Sequence, residues 1–263
     1  VKPAELLRQF RDNRFVAPAA VDDLALRQTE LDWLRAAAGS GFTPLTLSPV
    51  APLGVCPAMG HVDQNNVVSA LRGTEVVSDI TNVLALQVAR NAKASADKQA
   101  VFRYAAAHRH VRAQAFDHPD FTAHFAVFGL VSGGRDRGDY RFEREELKAH
   151  LTVLLQGLRR HFPADRLFIR FYEKDEGGPL RQKLEKETTA PWRDLPVEFQ
   201  PDPGHAYYDL LQFKVFLRTE NGPIDLADGG PVDWTRRLLS DRKQRCFISG
   251  VGLELIHKLS SKT

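Results

Sequence analysis

Sulfur is scarce in this chain: two cysteines, Cys56 and Cys246, and a single methionine, Met59, among 263 residues. The cysteines lie far apart and neither has the CxxC or similar paired spacing. That excludes a disulfide framework and a zinc finger, and points to a reducing compartment. Long apolar runs are missing too, none approaching the roughly 18 residues needed to cross a bilayer. The start, with Lys2, Glu5, Arg8, Arg11 and Asp12, is unlike a signal peptide. A cytoplasmic protein with no membrane partner is the expectation. Charge of one sign is also lacking, since 36 Lys and Arg face 33 Asp and Glu, spread along the chain. The dense basic stripe of a nucleic-acid binder is absent, and no nucleic-acid partner is expected. Internal repeats and low-complexity tracts are not found.

What is present is enough apolar residue, 43%, to bury one large core, so residues 1–263 are read as a single domain. The centre of the chain is a pair of apolar stretches, 105–115 and 122–131, joined by a loop holding Asp117, His118, Pro119 and Asp120. Alternation along a strand turns Arg109 and Val111 to one face and His110 and Arg112 to the other. A face carrying His110 and Arg112 beside a polar loop could grip an anion; a hairpin with one solvated face has the same pattern.

Around this hairpin the periodicity predicts helices over 4–13, 21–38, 83–93, 142–162 and 252–259, with Asp79 or Thr81 as N-cap of the third. Strands are predicted over 41–50, 165–172, 207–219 and 246–249. Residues 52–62 read as loop, 173–194 as a polar excursion with a helical turn, and Asn221-Gly222 as a hairpin turn. Cys56, His61 and Asp63 lie close together but match no zinc spacing, so no metal is expected. Arg135, Arg137 and Arg141 beside Gly133-Gly134 read as a solvated charged turn.

The order of these pieces resembles the class II aminoacyl-tRNA synthetases. The helix running into Gly41-Phe42…Pro49 is similar to their motif 1. Val111-Arg112-Ala113-Gln114 with His124-Phe125 is similar to motif 2, and Gly250-Val251-Gly252-Leu253-Glu254 to motif 3. Within that class the resemblance is closest to the histidyl branch and its regulatory paralogue, the subunit of ATP phosphoribosyltransferase. Tyr207-Tyr208 resemble its paired pocket tyrosines, Ala227-Asp228-Gly229-Gly230 its glycine-rich turn, and Asp79-Ile80-Thr81 its Glu-x-Thr.

The resemblance implies an α+β fold, an antiparallel sheet flanked by helices, with a homodimer interface through Val21–Pro49. It also implies a ligand site in which Arg112 meets phosphate, Asp79 and Thr81 the substrate ammonium, Phe125 a base, and Tyr207 and Tyr208 the amino-acid pocket, with Gln114 and Glu254 as further substrate contacts.

The departures fall on the chemistry. The motif 3 arginine is replaced by Leu255, the motif 2 glutamate by Gln114, and the arginine before the paired tyrosines is missing from Asp202-Pro203-Gly204-His205-Ala206. An aliphatic side chain cannot replace a guanidinium at a triphosphate. His108, His110, His118 and His124 crowd the hairpin and could supply replacement cations or acid/base groups. No anticodon-binding domain is expected. The function expected is therefore a stand-alone paralogue binding an amino-acid-like or nucleotide ligand without charging tRNA. Two alternatives stay open: an adenylate-forming ligase using ATP and Mg with a non-tRNA acceptor, and a regulatory subunit of a separate enzyme. Whether it is an enzyme is left open.

Overall fold

The computed structural model describes residues 2–60, 62–113, 122–204 and 208–260. In chain order the elements are α1 (Pro3–Asp12), α2 (Asp23–Gly39), β1 (Thr43–Pro44), β2 (Val50–Pro52), α3 (Val55–Gly60), β3 (Ser69–Ala70), β4 (Thr74–Val76), α4 (Ile80–Ala94), β5 (Phe102–Val111), β6 (His124–Arg135), α5 (Arg141–Leu158), β7 (Leu167–Glu173), α6 (Pro179–Glu185), β8 (Val197–Pro201), β9 (Leu211–Thr219), β10 (Gly222–Val232), α7 (Trp234–Leu239), β11 (Gln244–Gly252) and α8 (Leu253–Ser260).

The main sheet runs β1-β5-β6-β11-β10-β9-β7-β8. Its two outermost pairings, β1 with β5 and β7 with β8, are parallel, and the pairings between them are antiparallel. This is the antiparallel sheet flanked by helices that the sequence implied. One face packs on α2, α5, α6 and α8 around Trp33, Phe128, Leu151 and Phe213. The other packs on α4 and α7 around Ile80, Leu84, Val88 and Trp234. Strand alternation divides neighbours between the two cores: Ala105 joins the first, Tyr104 and Ala106 the second.

Local chemistry explains the helices of the first face. The Asp22 carboxylate accepts the Ala25 N–H at 3.1 Å and starts α2. In α5, Leu147, Leu151, Leu154 and Leu158 recur at helical spacing and are buried together. A Cβ on Gly157 would lie 2.4 Å from the Trp33 indole, so only glycine lets α2 and α5 approach this closely.

Several boundaries differ from expectation. The predicted strand over 41–50 is a two-residue β1 and a separate β2, because Pro44 and Pro49 lack the N–H a continuous ladder needs. The loop over 52–62 contains α3, whose backbone N–H of Cys56 is bound by the buried Glu75 carboxylate at 3.0 Å. The central strands start and end outside the predicted limits, at Phe102 and Arg135. Edge strand β8 was not anticipated from the sequence. The glycine-rich 227–230 segment is strand rather than turn, paired throughout with β11. Arg135, at the end of β6, and Arg137 and Arg141 after it form ion pairs with Asp241 and Glu145, and the first two are half-buried rather than solvated as expected.

Candidate functional site

A cavity of about 570 Å³ opens on the α4 face of the sheet. Its walls come from the end of β5, then β6, β11, β10 and β9 in turn, with α3 and the start of α4 above. Four inter-strand steps of about 4.8 Å carry it roughly 19 Å across the sheet. The volume suits a small-molecule ligand, and polar groups concentrate at its two ends.

The first end is the N-terminus of α4. Asp79 caps the helix, its Oδ1 accepting the Thr81 N–H at 2.8 Å and the Thr81 hydroxyl at 2.6 Å. Arg112 donates through Nε to the Ser78 carbonyl at 3.2 Å, and its guanidinium lies over the Phe125 ring, 5.3 Å from the centroid. The Ile80 N–H, one of the unpaired donors of a helix start, donates to His110 Nε2 at 3.0 Å. That bond makes Nε2 the acceptor, so the ring is neutral and carries its proton on Nδ1.

His110 is 1% exposed. Burial, helped by Arg112 and His108, pushes its pKa well below the usual 6.5. It is thus not the replacement cation the sequence suggested. Its folded pKa lies below the unfolded one, so its stabilising contribution is present above about pH 6.5. Below that pH the unfolded chain takes the proton first, and stability falls by up to about 1.4 kcal/mol per pH unit toward the folded pKa. His150, buried between Ser132 and Ser249, adds a slope of the same sign. Urea unfolding between pH 7.5 and 5.5 is expected to show the decline, shallower by one proton in His110→Phe; equal slopes would contradict it.

At the other end the Tyr208 hydroxyl donates to Asp228 Oδ2 at 2.9 Å, and Gln212 Nε2 donates to the same oxygen at 3.2 Å. Burial pushes the Asp228 pKa up. Lys214 pairs with Asp225 at 2.6 Å on the same wall. Each end thus pairs carboxylates with donors: Asp79 with Arg112 at the α4 end, and Asp225 and Asp228 with Lys214, Tyr208 and Gln212 at the other.

Of the residues expected in the site, Asp79, Thr81, Arg112, Phe125 and Tyr208 line this one cavity. Gln114 and Tyr207 lie outside the described residues, as do His61 and His118. Glu254 does not line the cavity: buried at the start of α8, it binds the Arg109 guanidinium and accepts the Ala126 N–H at 3.1 Å, bracing β5 and β6 from behind. His124 is also turned away, its Nδ1 accepting from the Arg109 guanidinium and its Nε2 donating to the Ala17 carbonyl. Asn82 and Gln212 were not singled out from sequence. The usable signal for Asn82 was a polar residue at the third position of a helix whose neighbours Ile80, Leu84 and Ala85 are apolar. Among the described residues no group of His, Cys, Asp or Glu is arranged to hold a metal ion, and no helix is long and apolar enough to cross a membrane.

Neither protein-family profiles nor curated protein sequences yield a match to this chain. Solved structures do. The apo histidyl-tRNA synthetase of S. aureus superposes with a TM-score of 0.71 at 11% identity, covering 95% of this chain and 69% of that one. An ATP phosphoribosyltransferase regulatory subunit/histidyl-tRNA synthetase from Bacillus halodurans gives 0.65 at 14% identity, covering 93% and 81%. Pyrrolysyl-tRNA synthetase from Desulfitobacterium hafniense gives 0.60 at 14% identity, covering 99% and 75%. Agreement over nearly the whole chain, with this strand order and the cavity on the α4 face, means that the protein has the class II aminoacyl-tRNA-synthetase core fold.

Proposed function

We propose that this chain is a class II core that binds a small amino-acid-like ligand in the α4-face cavity and does not charge tRNA. The observation that carries the reading is the contrast within one cavity. Asp79 and Arg112, suited to an ammonium and an oxygen function, line it together. The aromatic face on which adenine would stack is instead covered by the Arg112 guanidinium. The residue after Glu254, where the fold's relatives would need a cation for the γ-phosphate, is Leu255. The donors present do not fit ATP and its magnesium.

Calorimetry against the twenty amino acids and ATP tests the reading. An amino acid should bind, ATP should not, and amino-acid-dependent ATP–pyrophosphate exchange should be absent. Exchange that collapses in Arg112→Ala would overturn it in favour of an adenylate-forming ligase. No binding by any amino acid would leave a scaffold or a regulatory subunit, which pull-down of a partner enzyme would identify.

The assembly proposed is a homodimer through the Val21–Pro49 region. Leu24 is 82% and Leu31 42% exposed on α2, apolar surface that a second copy would cover. The cytoplasm is the compartment this reading assigns.

A further inference from the structure

Four residues lining the α4-face cavity carry buried polar atoms without a hydrogen-bond partner: Ser78 and Gln212 at one atom each, and Asn82 and His110, which meet at the start of α4. Asn82 is fully buried, and neither its Oδ1 nor its Nδ2 is bonded; His110 keeps a proton on Nδ1 that meets no acceptor. Both residues line the cavity. Buried donors and acceptors are ordinarily satisfied, and each orphan is costly, so each would gain from a partner bound in the cavity.

Their chemistry says what the partner is. His110 offers one donor. Asn82 offers donors on one arm of its amide and an acceptor on the other, and turning the amide over leaves that inventory unchanged. Asn82 is also the third residue of α4, next to the capping Asp79 across the first turn, where a glutamate or glutamine would reach back toward the cap. Here Asn82 makes no such bond. A ligand ammonium at Asp79 is therefore followed closely by whatever Asn82 and His110 read. A free carboxylate has acceptors only, and would leave the Asn82 oxygen facing lone pairs. A carboxamide offers a partner to each: its oxygen, with two lone pairs, accepts from His110 Nδ1–H and Asn82 Nδ2–H, and its N–H donates to Asn82 Oδ1.

Building on the amino-acid-like reading above, we propose that the ligand is an aminoacyl amide, an amino-acid amide or the N-terminal residue of a peptide, and that Asn82 and His110 select the amide over the free acid. The side chain then extends along the sheet toward Tyr208, Gln212 and Asp228.

The test is calorimetry with each L-amino acid and its L-amino-acid amide. For the side chain that binds best, the amide is expected to bind roughly tenfold more tightly than the acid. Asn82→Leu, branched at the same carbon, should erase that preference. It should also raise Tm by about 2 to 4 °C, because it removes two unsatisfied buried atoms. An acid bound as tightly as its amide, or an Asn82→Leu variant that keeps the preference, overturns this inference while leaving the amino-acid-like reading intact. No binding by any acid or amide overturns both. The wild-type comparison needs no variant, so a poorly folded Asn82→Leu would not rescue the idea.

Discussion

Replacing Arg103 with alanine is expected to destabilise the protein by about 3 kcal/mol, the low end for exposing one member of a buried ion pair. Arg103 on β5 donates through Nε and Nη2 to the two oxygens of Glu146 on α5, both at 2.7 Å. The Glu146 side chain is completely buried, while Arg103 keeps 29% exposure. Alanine would leave a carboxylate with neither water nor partner, and that penalty exceeds the Coulombic value of the pair itself. The partial exposure of Arg103 argues for the low end of the range. Equilibrium denaturation checks the figure, and Arg103→Met combined with Glu146→Leu should recover most of the loss, because a well-packed apolar replacement removes the stranded charge as well. A single-variant loss under about 1 kcal/mol would equate this pair with exposed ones such as Arg181–Glu185, worth a few tenths. The pair fastens the strand that carries His110 to the opposite helical layer, so the loss is also expected to loosen the cavity wall.

Elements whose signal is local were legible in the sequence. α4 begins after Asp79 as its capping chemistry requires, α5 follows its leucine spacing, and the Asn221-Gly222 turn joins β9 to β10. Those settled by pairing across the fold were not. β8 is a short edge strand held parallel to β7, and nothing in Val197–Pro201 alone requires that partner. α3 is six residues long with a proline inside it; its start is fixed by Glu75, distant in sequence.

The site divides the same way. Asp79, Thr81, Arg112, Phe125 and Tyr208 were nameable because the order of motifs placed them, and they do meet in one cavity. Glu254 follows the same motif order, yet Arg109 and the Ala126 N–H claim its carboxylate behind the sheet. His110 was visible as a titratable residue, but its neutral state depends on the Ile80 N–H and on burial between sheet and α4. Asn82 reads in sequence as an ordinary polar residue just ahead of the helix predicted over 83–93, and folding draws it into the first turn of α4. Its importance lies in the bonds it does not make, and those exist only once the chain is folded.

Asp79 serves two roles, capping a helix and presenting a carboxylate to the cavity, and two substitutions separate them. Asp79→Asn keeps a side chain that caps as well as aspartate, since only Oδ1 is needed to accept from Thr81 N–H and Oγ1. Its folding stability is expected to stay within about 0.5 kcal/mol of the parent. Its affinity for the best-binding amino acid or amide should nevertheless fall about 30-fold, because a charge-assisted hydrogen bond to an ammonium, worth roughly 2 kcal/mol, has been replaced by a neutral contact. Asp79→Ala should lose the same affinity and, in addition, about 1 kcal/mol of stability from the missing cap. Calorimetry and chemical denaturation on the same three proteins read both quantities. If Asp79→Asn binds as the parent does while Asp79→Ala is merely less stable, Asp79 is a cap and nothing more, and the ammonium must be held elsewhere along the cavity. If affinity falls in both and stability in one, the carboxylate that starts α4 is also the group that holds the ligand, which is why helix and site begin at the same residue.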